Sequence, residues 1–378
     1  MNVSESSLKF EIPAALGALA LFQFHGFNQR LANFPVAWVL TRDKVALLKR
    51  EITIAGGGLA GLALASAMRA HDVPVTVLEA GTYPRHRVCG EFISGVSGET
   101  LAGLGIAPCF ENALRHRTLG WYESGRLIHR DHFEEPALGI SRFLLDERLR
   151  DHVVNAGGTI RTGVRARPIT QDGLVWAAGR RPRNGPWIGL KAHVRNLSKS
   201  ADLEMHAGTN GYAGLAEVED GWINVCGLFR LDRSINASGA NLLPAYLEKG
   251  GNRDLAAALR AAEWREGSFS AVAGFELGHQ TPLPGLLTLG DAESMIPPFT
   301  GNGMSMAFQA AECAVGPLVA WSRGGQSWQD AANTVRSAVT RRFRRRLAVA
   351  GALHPVLLAA GGRSLLQSLA SARLLPFR

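Results

Sequence analysis

A glycine-rich turn between two short apolar strands constrains the fold of this chain more than any other feature. The sequence predicts a strand at 52–55, the turn Gly56-Gly-Gly-Leu-Ala-Gly61, a helix over 62–70 and a second strand at 75–79. In such a unit the first glycine permits the tight turn, the second lets the backbone approach a pyrophosphate, and the third lets helix pack against strand. We therefore predict an α/β fold with a Rossmann-like parallel sheet.

The same unit supplies the first predicted cofactor contacts. Glu79 ends the second strand, where a carboxylate can accept both hydroxyls of an adenosine ribose. The helix N-terminus offers unpaired N–H groups and the positive end of its dipole to the phosphates. The predicted contacts are Gly56, Gly57, Gly58, Leu59, Ala60, Gly61, Glu79 and Ala80. This unit alone does not distinguish NAD from FAD as the cofactor.

A second glycine-rich segment lies far along the chain. A strand at 286–289 ends in Gly290-Asp291, and Pro297-Pro-Phe-Thr-Gly301-Asn-Gly303-Met304 then opens an alanine-rich helix. Here the sequence resembles the FAD-dependent oxidoreductases of the p-hydroxybenzoate hydroxylase fold, and among them the geranylgeranyl reductase-like branch. The resemblance implies that FAD is the cofactor, with Asp291 on a ribityl hydroxyl and the helix start facing the flavin ring. It adds as contacts Asp291, Gly301, Asn302, Gly303 and Met304.

Two more segments carry the resemblance. Arg87-Val-Cys89-Gly90-Glu91 is similar to a loop of the reductase-like branch that lies beside the flavin, and Arg142 begins an Arg-x-x-Leu-Asp motif of the wider family. The resemblance implies cofactor contacts by Arg87, Cys89, Gly90 and Arg142. Plainer alternatives stay open, because Cys89 can be a small buried apolar residue and Arg142 can simply pair with Asp146 one helical turn later.

The chain also departs from the family pattern. Hydroxylases of this fold carry Ala-Asp-Gly where this sequence has Ala177-Ala178-Gly179, so Ala178 is a predicted contact that lacks the usual carboxylate. This substitution puts direct reduction by NAD(P)H in doubt. The aromatic-Trp-Phe-Pro element common in lipid-saturating reductases is missing from 211–229, which instead predicts two strands around a Glu-Asp-Gly turn, with Tyr212 and Trp222 in strand packing.

Length and motif order predict the domain organisation. The 378 residues allow two or three domains. We expect a helical extension of unassigned role at 1–50. An interleaved FAD-binding domain follows at 51–80, 141–179 and 280–325, with a mixed-sheet substrate domain at about 90–140 and 180–279. Basic helices at 326–378 end the chain.

Charge and cysteine content limit the classes of binding partner and the cellular location to be expected. Lys plus Arg number 41 against 32 Asp plus Glu, and the densest cluster is Arg341-Arg-Phe-Arg-Arg-Arg346. This cluster is typical of either a solvated helix or a peripheral contact with anionic lipid, and no nucleic-acid-binding module is recognisable. Four widely spaced cysteines indicate neither a metal site nor a disulfide framework, so a cytoplasmic location is expected, with possible contact at the membrane surface.

These features together predict an FAD-dependent oxidoreductase. The leading interpretation is a monooxygenase-like enzyme acting on a small lipophilic aromatic or polyketide-type molecule. The alternatives are a reductase that saturates the double bonds of a prenyl chain and an FAD-binding protein without turnover. NAD(P)H or a ferredoxin-like protein would supply electrons. No catalytic residue can be named, and Cys89, Glu91 and His279 are the polar groups to mutate first.

Overall fold

The computed structural model describes residues 49–180, 184–280 and 283–359. The predicted N-terminal extension lies outside these residues except for its last two positions. The helices of the described part are α1 (Leu59–Ala70), α2 (Gly98–Gly103), α3 (Arg142–Asn155), α4 (Leu242–Lys249), α5 (Arg253–Ala261), α6 (Gly303–Ser322) and α7 (Trp328–Leu358). The strands are β1 (Ile52–Ala55), β2 (Val75–Leu78), β3 (Phe92–Ile93), β4 (Leu114–Glu123), β5 (Arg126–Gly139), β6 (Thr159–Arg161), β7 (Leu174–Trp176), β8 (Trp187–Arg195), β9 (Leu203–Ala207), β10 (Gly211–Glu217), β11 (Ile223–Arg230), β12 (Glu263–Trp264), β13 (Ser270–Phe275), β14 (Gly278–His279), β15 (Leu287–Thr288) and β16 (Ser294–Met295).

The first sheet is parallel, as predicted, and its strand order is Rossmann-like. Its strands run β15-β7-β1-β2-β6, so the glycine turn after β1 lies where the strand order reverses. In open α/β sheets, ligands bind at this point, beyond the carboxyl ends of the strands. Helix α1 begins at Leu59 rather than at the predicted Leu62, because Gly58 has the extended backbone of a helix N-cap.

The second sheet is mixed and draws on two separate parts of the chain. Its order is β12-β8-β11-β10-β9-β4-β5-β3, with β13 also paired to β8. β4 and β9 are parallel, whereas the other pairs are antiparallel. The predicted hairpin is present, since β10 and β11 pair around a turn in which Asp220 has φ 59°.

One face of the second sheet packs on α4 and α5. Alternate residues of β8, namely Ile188, Leu190, Ala192 and Val194, enter this apolar core. The period of two places Trp187, Gly189, Lys191 and His193 on the opposite face. That opposite face carries the polar side chains described below.

Helix α7 is one 31-residue helix within the segment 326–378, for which basic helices are predicted. The hydroxyl of Ser327 caps its start by accepting the N–H of Asp330 at 3.1 Å. Phe343 and Leu347 pack into the core of the first sheet, and Leu357 reaches an apolar cluster of the second sheet. Across residues 49–180, 184–280 and 283–359, no helix has the length and apolar character needed to cross a bilayer.

Candidate functional site

The glycine turn has the geometry that a bound pyrophosphate requires. Gly56 has φ 110°, and a Cβ at this position would collide with the main chain of Ala177 at the end of β7. A Cβ on Gly61 would collide with the carbonyl oxygen of Gly56. A Cβ on Gly58 would meet no atom within 4 Å. The first and third glycines are therefore needed for packing, while the middle one leaves an open approach to the backbone.

Glu79 is held against this turn. Its carboxylate accepts the N–H of Gly57 at 2.8 Å, the N–H of Gly81 at 2.8 Å and the guanidinium of Arg85 at 2.7 Å. Burial alone would raise the pKa of Glu79, but these N–H groups and the nearby Arg87 and Arg85 lower it. The ionised carboxylate keeps acceptor capacity for ribose hydroxyls. Its neighbour Ala80 is exposed.

Arg87 and Arg142 converge on one buried carboxylate. Arg87 Nε donates to Asp146 at 2.9 Å, and Arg142 donates to the same carboxylate at 2.6 and 2.8 Å. The pairing of Arg142 with Asp146 is thus the one that the plainer alternative expected. Arg87 Nη2 is buried without a hydrogen bond and lies 3.7 Å from Glu79. An unsatisfied guanidinium donor beside the glycine turn fits a phosphate ligand.

The structure brings the second glycine-rich segment against residues 87–94, which we call the Cys89 loop. Asn302 donates to the carbonyl of Ser94 at 3.1 Å and to its hydroxyl at 3.3 Å, although 208 positions separate them in the chain. Gly301 has φ 66°, and Gly303 has open space where a side chain would be. Met304 is buried in the core, so only its main chain is available to a cofactor.

Asp291 lines a groove beside these loops. Its side chain is exposed, yet surrounding protein raises its pKa by desolvation, with Arg142 and Arg180 opposing that shift. Exposure together with desolvation is expected of a carboxyl group in a concave site. Asp291 and Gly303 border one small cavity. A Cβ on Gly290 would come within 3.0 Å of Ala60, so the strand end also adjoins α1.

Three predicted contacts can act only through their backbone or their small size. Leu59 and Ala60 are buried in the core of the first sheet. Ala178 is exposed, and its Cα lies 2.5 Å from the position of a Cβ on Gly56. A carboxylate at position 178 would therefore lie near the glycine turn, where this chain presents a methyl group.

A buried ionic cluster lies between the Cys89 loop and the second sheet. Glu91 accepts Lys191 Nζ at 3.1 Å, His193 Nε2 at 2.5 Å and the N–H of Arg142 at 2.9 Å. Glu91, Lys191 and His193 are all 0% exposed. Burial opposes ionisation of Glu91, but His193 and Lys191 lower its pKa. His86 contacts Lys191 at 3.1 Å, and its pKa falls to about 4 through burial and the nearby Lys191.

The two cysteines next to this cluster are half-buried. Desolvation raises the pKa of Cys89 and of Cys226, so both favour the thiol form. The carbonyl oxygen of Cys89 accepts a hydrogen bond from Asn224 Nδ2 at 3.0 Å. His279, which we expected to matter with Cys89 and Glu91, is instead an exposed residue of β14 outside the cluster.

An aromatic cluster adjoins the second glycine-rich segment. His354 near the end of α7 packs on Trp187, Tyr212 and Phe299, with ring centroids 5.0, 5.8 and 6.0 Å away. Burial lowers the pKa of His354 to about 4. Tyr212 does more than the expected strand packing, because its hydroxyl accepts the N–H of Phe299 at 3.2 Å. Trp222 instead stacks under Arg195 at 4.0 Å.

Sequence reasoning missed Lys191, His193, Asn224 and His354. The first three alternate with apolar residues along β8 and β11, a pattern that equally describes a strand facing solvent. Within the described ranges, no three His, Cys, Asp or Glu side chains are arranged to hold a metal ion.

Known proteins were compared with the chain and with this geometry. No family model matches. The sequence is similar to a menaquinone reductase of Mycobacterium tuberculosis, at 23% identity in an alignment of 306 positions that covers 70% of this chain and 75% of the relative. The fold is similar to that of p-nitrophenol 4-monooxygenase PnpA from Pseudomonas putida, with a TM-score of 0.69 and 15% identity, covering 87% of this chain and 95% of that one.

A second solved structure also has a similar fold. PqsL of Pseudomonas aeruginosa, in complex with 2-aminobenzoylacetate, has a TM-score of 0.66 and 14% identity, covering 83% of this chain and 98% of that one. The molecule therefore has the mixed α/β fold of the FAD-dependent monooxygenases. Neither structure singles out the geranylgeranyl reductase-like branch.

Proposed function

We propose that this protein is an FAD-dependent oxidoreductase acting on a small lipophilic aromatic or polyketide-type molecule, as a monooxygenase. The observation that carries the proposal is the meeting of two distant glycine-rich segments at the carboxyl ends of β1, β7 and β15. There the open backbone at Gly58, the unbonded Nη2 of Arg87 and the groove-lining Asp291 match the pyrophosphate and ribityl parts of FAD.

The chain's own residues would hold the cofactor and shape the chamber for the substrate. Gly57, Gly58 and the start of α1 would bind the phosphates, while Glu79 would bind the ribose. Bound FAD supplies the redox chemistry, either hydride transfer or activation of oxygen. The face of the second sheet that carries Tyr212 and Cys226 would orient the substrate and exclude water.

The electron donor is a separate part of the proposal. Ala178 leaves the edge of the glycine turn without the carboxylate that the family's hydroxylases use there. We propose that NAD(P)H reduces the flavin slowly or that a ferredoxin-like protein replaces it. Comparing the rates of anaerobic flavin bleaching by NADH, NADPH and reduced ferredoxin tests this point.

A second candidate is a reductase that saturates a prenyl chain, as in the geranylgeranyl reductase-like branch. It is favoured by the similarity to a menaquinone reductase over 70% of the chain, and by the Cys89-Gly90-Glu91 loop. In either case the substrate is lipophilic.

Mass spectrometry separates the candidates. The gene is deleted, the metabolite that accumulates is purified, and it is incubated with the FAD-loaded enzyme, an electron donor and air. Gain of one oxygen atom supports the monooxygenase, whereas gain of two hydrogen atoms supports the reductase. An FAD-loaded protein that converts no accumulated metabolite would contradict both and leave a binding protein without turnover.

Contact with a membrane surface is a further proposal, and it rests on α7. Arg341, Arg342, Arg344 and Arg345 are exposed, whereas Phe343 and Leu347 of the same helix are buried in the protein. The apolar side of this helix segment is thus already packed, so the contact would be electrostatic. We expect the protein to co-sediment with phosphatidylglycerol vesicles in dilute buffer. Salt at about 0.5 M should abolish this co-sedimentation, because it screens the attraction between the arginines and the anionic lipid.

A further inference from the structure

Two buried hydrogen-bond acceptors without partners lie side by side on the second sheet. His193 and Asn224 are directly paired across β8 and β11, so their side chains lie on the same face. Both residues are 0% exposed. His193 Nδ1 and Asn224 Oδ1 have no hydrogen-bond partner. A buried polar atom without a partner costs free energy, so two neighbouring ones indicate a function.

The hydrogen-bond network makes both atoms acceptors when the His193 imidazole is neutral. His193 Nε2 lies 2.5 Å from the Glu91 carboxylate, which can only accept, so Nε2 carries the hydrogen. In the neutral imidazole, Nδ1 then presents a lone pair. Asn224 Nδ2 donates to the carbonyl of Cys89 at 3.0 Å, which fixes the orientation of the amide and leaves Oδ1 as an acceptor.

The acceptor pair lies beside the two cysteines of the buried ionic cluster. Cys226, two residues along β11 on the same face, is half-exposed and lies near Cys89. The acceptor pair thus lies under the Cys89-Gly90 backbone, to which Asn224 is hydrogen-bonded. Gly90 is exposed, and a Cβ there would meet no atom within 4 Å, so no side chain covers this part of the segment above the pair.

We propose that His193 Nδ1 and Asn224 Oδ1 form a subsite that binds the hydroxyl or amino group of an aromatic substrate. The inference rests on the proposed function and adds the polar group that the substrate must carry. Two acceptors beside Glu91 favour neutral donors such as phenols and arylamines. They disfavour quinone carbonyls and ethers, which bring only acceptors, and they repel carboxylates.

The chain contains a matched control on the other face of the same sheet. His206 also pairs with a carboxylate, Glu204, at 3.0 Å, is 6% exposed and has an unpartnered Nδ1. It pairs in register with Ala213, which belongs to the core on the α4 and α5 side. His206→Phe therefore removes the same chemistry without touching the proposed subsite.

Isothermal titration calorimetry of the full chain tests the proposal with three matched probes, 1-naphthol, 1-methoxynaphthalene and 1-naphthoate. We expect the wild type to bind 1-naphthol at least about tenfold more tightly than the other two, because its single O–H donates one hydrogen bond to the acceptor pair, whereas the other two probes have no donor and leave both buried acceptors without a partner. His193→Phe and Asn224→Leu should each reduce this preference, and His206→Phe should keep it.

Equal affinities of the wild type for 1-naphthol and 1-methoxynaphthalene would overturn the subsite, as would failure to bind any of the probes. This comparison needs only the wild type, so misfolding of a variant does not leave the question open. The titration also needs no turnover. Failure to take up FAD would contradict the proposed function, whereas loss of the naphthol preference in an FAD-loaded protein would contradict the subsite alone.

Discussion

Replacing Glu91 by glutamine should show how strongly the buried ionic cluster stabilises the protein. The substitution Glu91→Gln keeps the shape of the side chain but leaves the ammonium of Lys191, 0% exposed, without its counter-charge at 3.1 Å. Removing one partner of a buried pair typically costs about 3–5 kcal/mol, because an uncompensated charge is left in the interior. The same substitution weakens the bond to His193, so we expect the upper part of that range.

Urea unfolding followed by tryptophan fluorescence measures this cost. Lys191→Met alone should also destabilise the chain, but the double variant should lose about 2 kcal/mol less than the sum of the two, since it buries no unpaired charge. Glu248→Gln is the control, because Glu248 and Arg260 form an ion pair with both side chains about half exposed, and such pairs contribute less than about 1 kcal/mol. A loss below about 1 kcal/mol for Glu91→Gln, or strict additivity in the cycle, would refute the reasoning.

Three further outcomes follow from the same structure. Gly56→Ala should lower the free energy of unfolding by about 2–3 kcal/mol in urea, because φ is 110° and the new methyl group meets the Ala177 main chain. Asn302→Ala should cost about 1–2 kcal/mol in the same assay, since it removes the bonds to Ser94. The pKa of His354 is about 4 in the folded state against 6.5 when exposed, so the unfolded chain takes up the proton first and stability falls between pH 6.5 and pH 4. His354→Phe should remove up to about 3 kcal/mol of that decline, measured by urea unfolding at both ends of the range. An unchanged pH dependence would contradict a buried neutral imidazole.

The glycine turn of the proposed cofactor site was predictable because its signals are local. Gly56 to Gly61 stand between two strands in a fixed order, and each glycine has a steric reason that the structure shows directly. The second segment was recognised from its Gly-Asp and Gly-x-Gly pattern. Its contact with Ser94 was not predictable from residues 208 positions apart, since only the packing of α6 against the Cys89 loop brings them together.

The substrate half was not predictable for a different reason. Lys191 and His193 alternate with apolar residues, and that pattern fixes which face of β8 they share without stating whether the face meets solvent or another part of the chain. Only the fold shows that Glu91 closes over them. His354 was not predictable either, because a basic helix with arginines on its exposed side does not reveal from sequence alone which neighbours its other side packs against.

Binding of FAD tests the central claim most directly. The purified full chain is mixed with excess FAD, passed through a desalting column, and examined for bound flavin by its visible absorption, beside Gly58→Val. The account predicts about one FAD per chain for the wild type, as one dinucleotide fold implies. It also predicts a folded Gly58→Val protein with at least about tenfold weaker binding, because the new side chain occupies the open approach to the turn. A wild-type protein that stays colourless, or a Gly58→Val protein that binds FAD as tightly as the wild type, would contradict it.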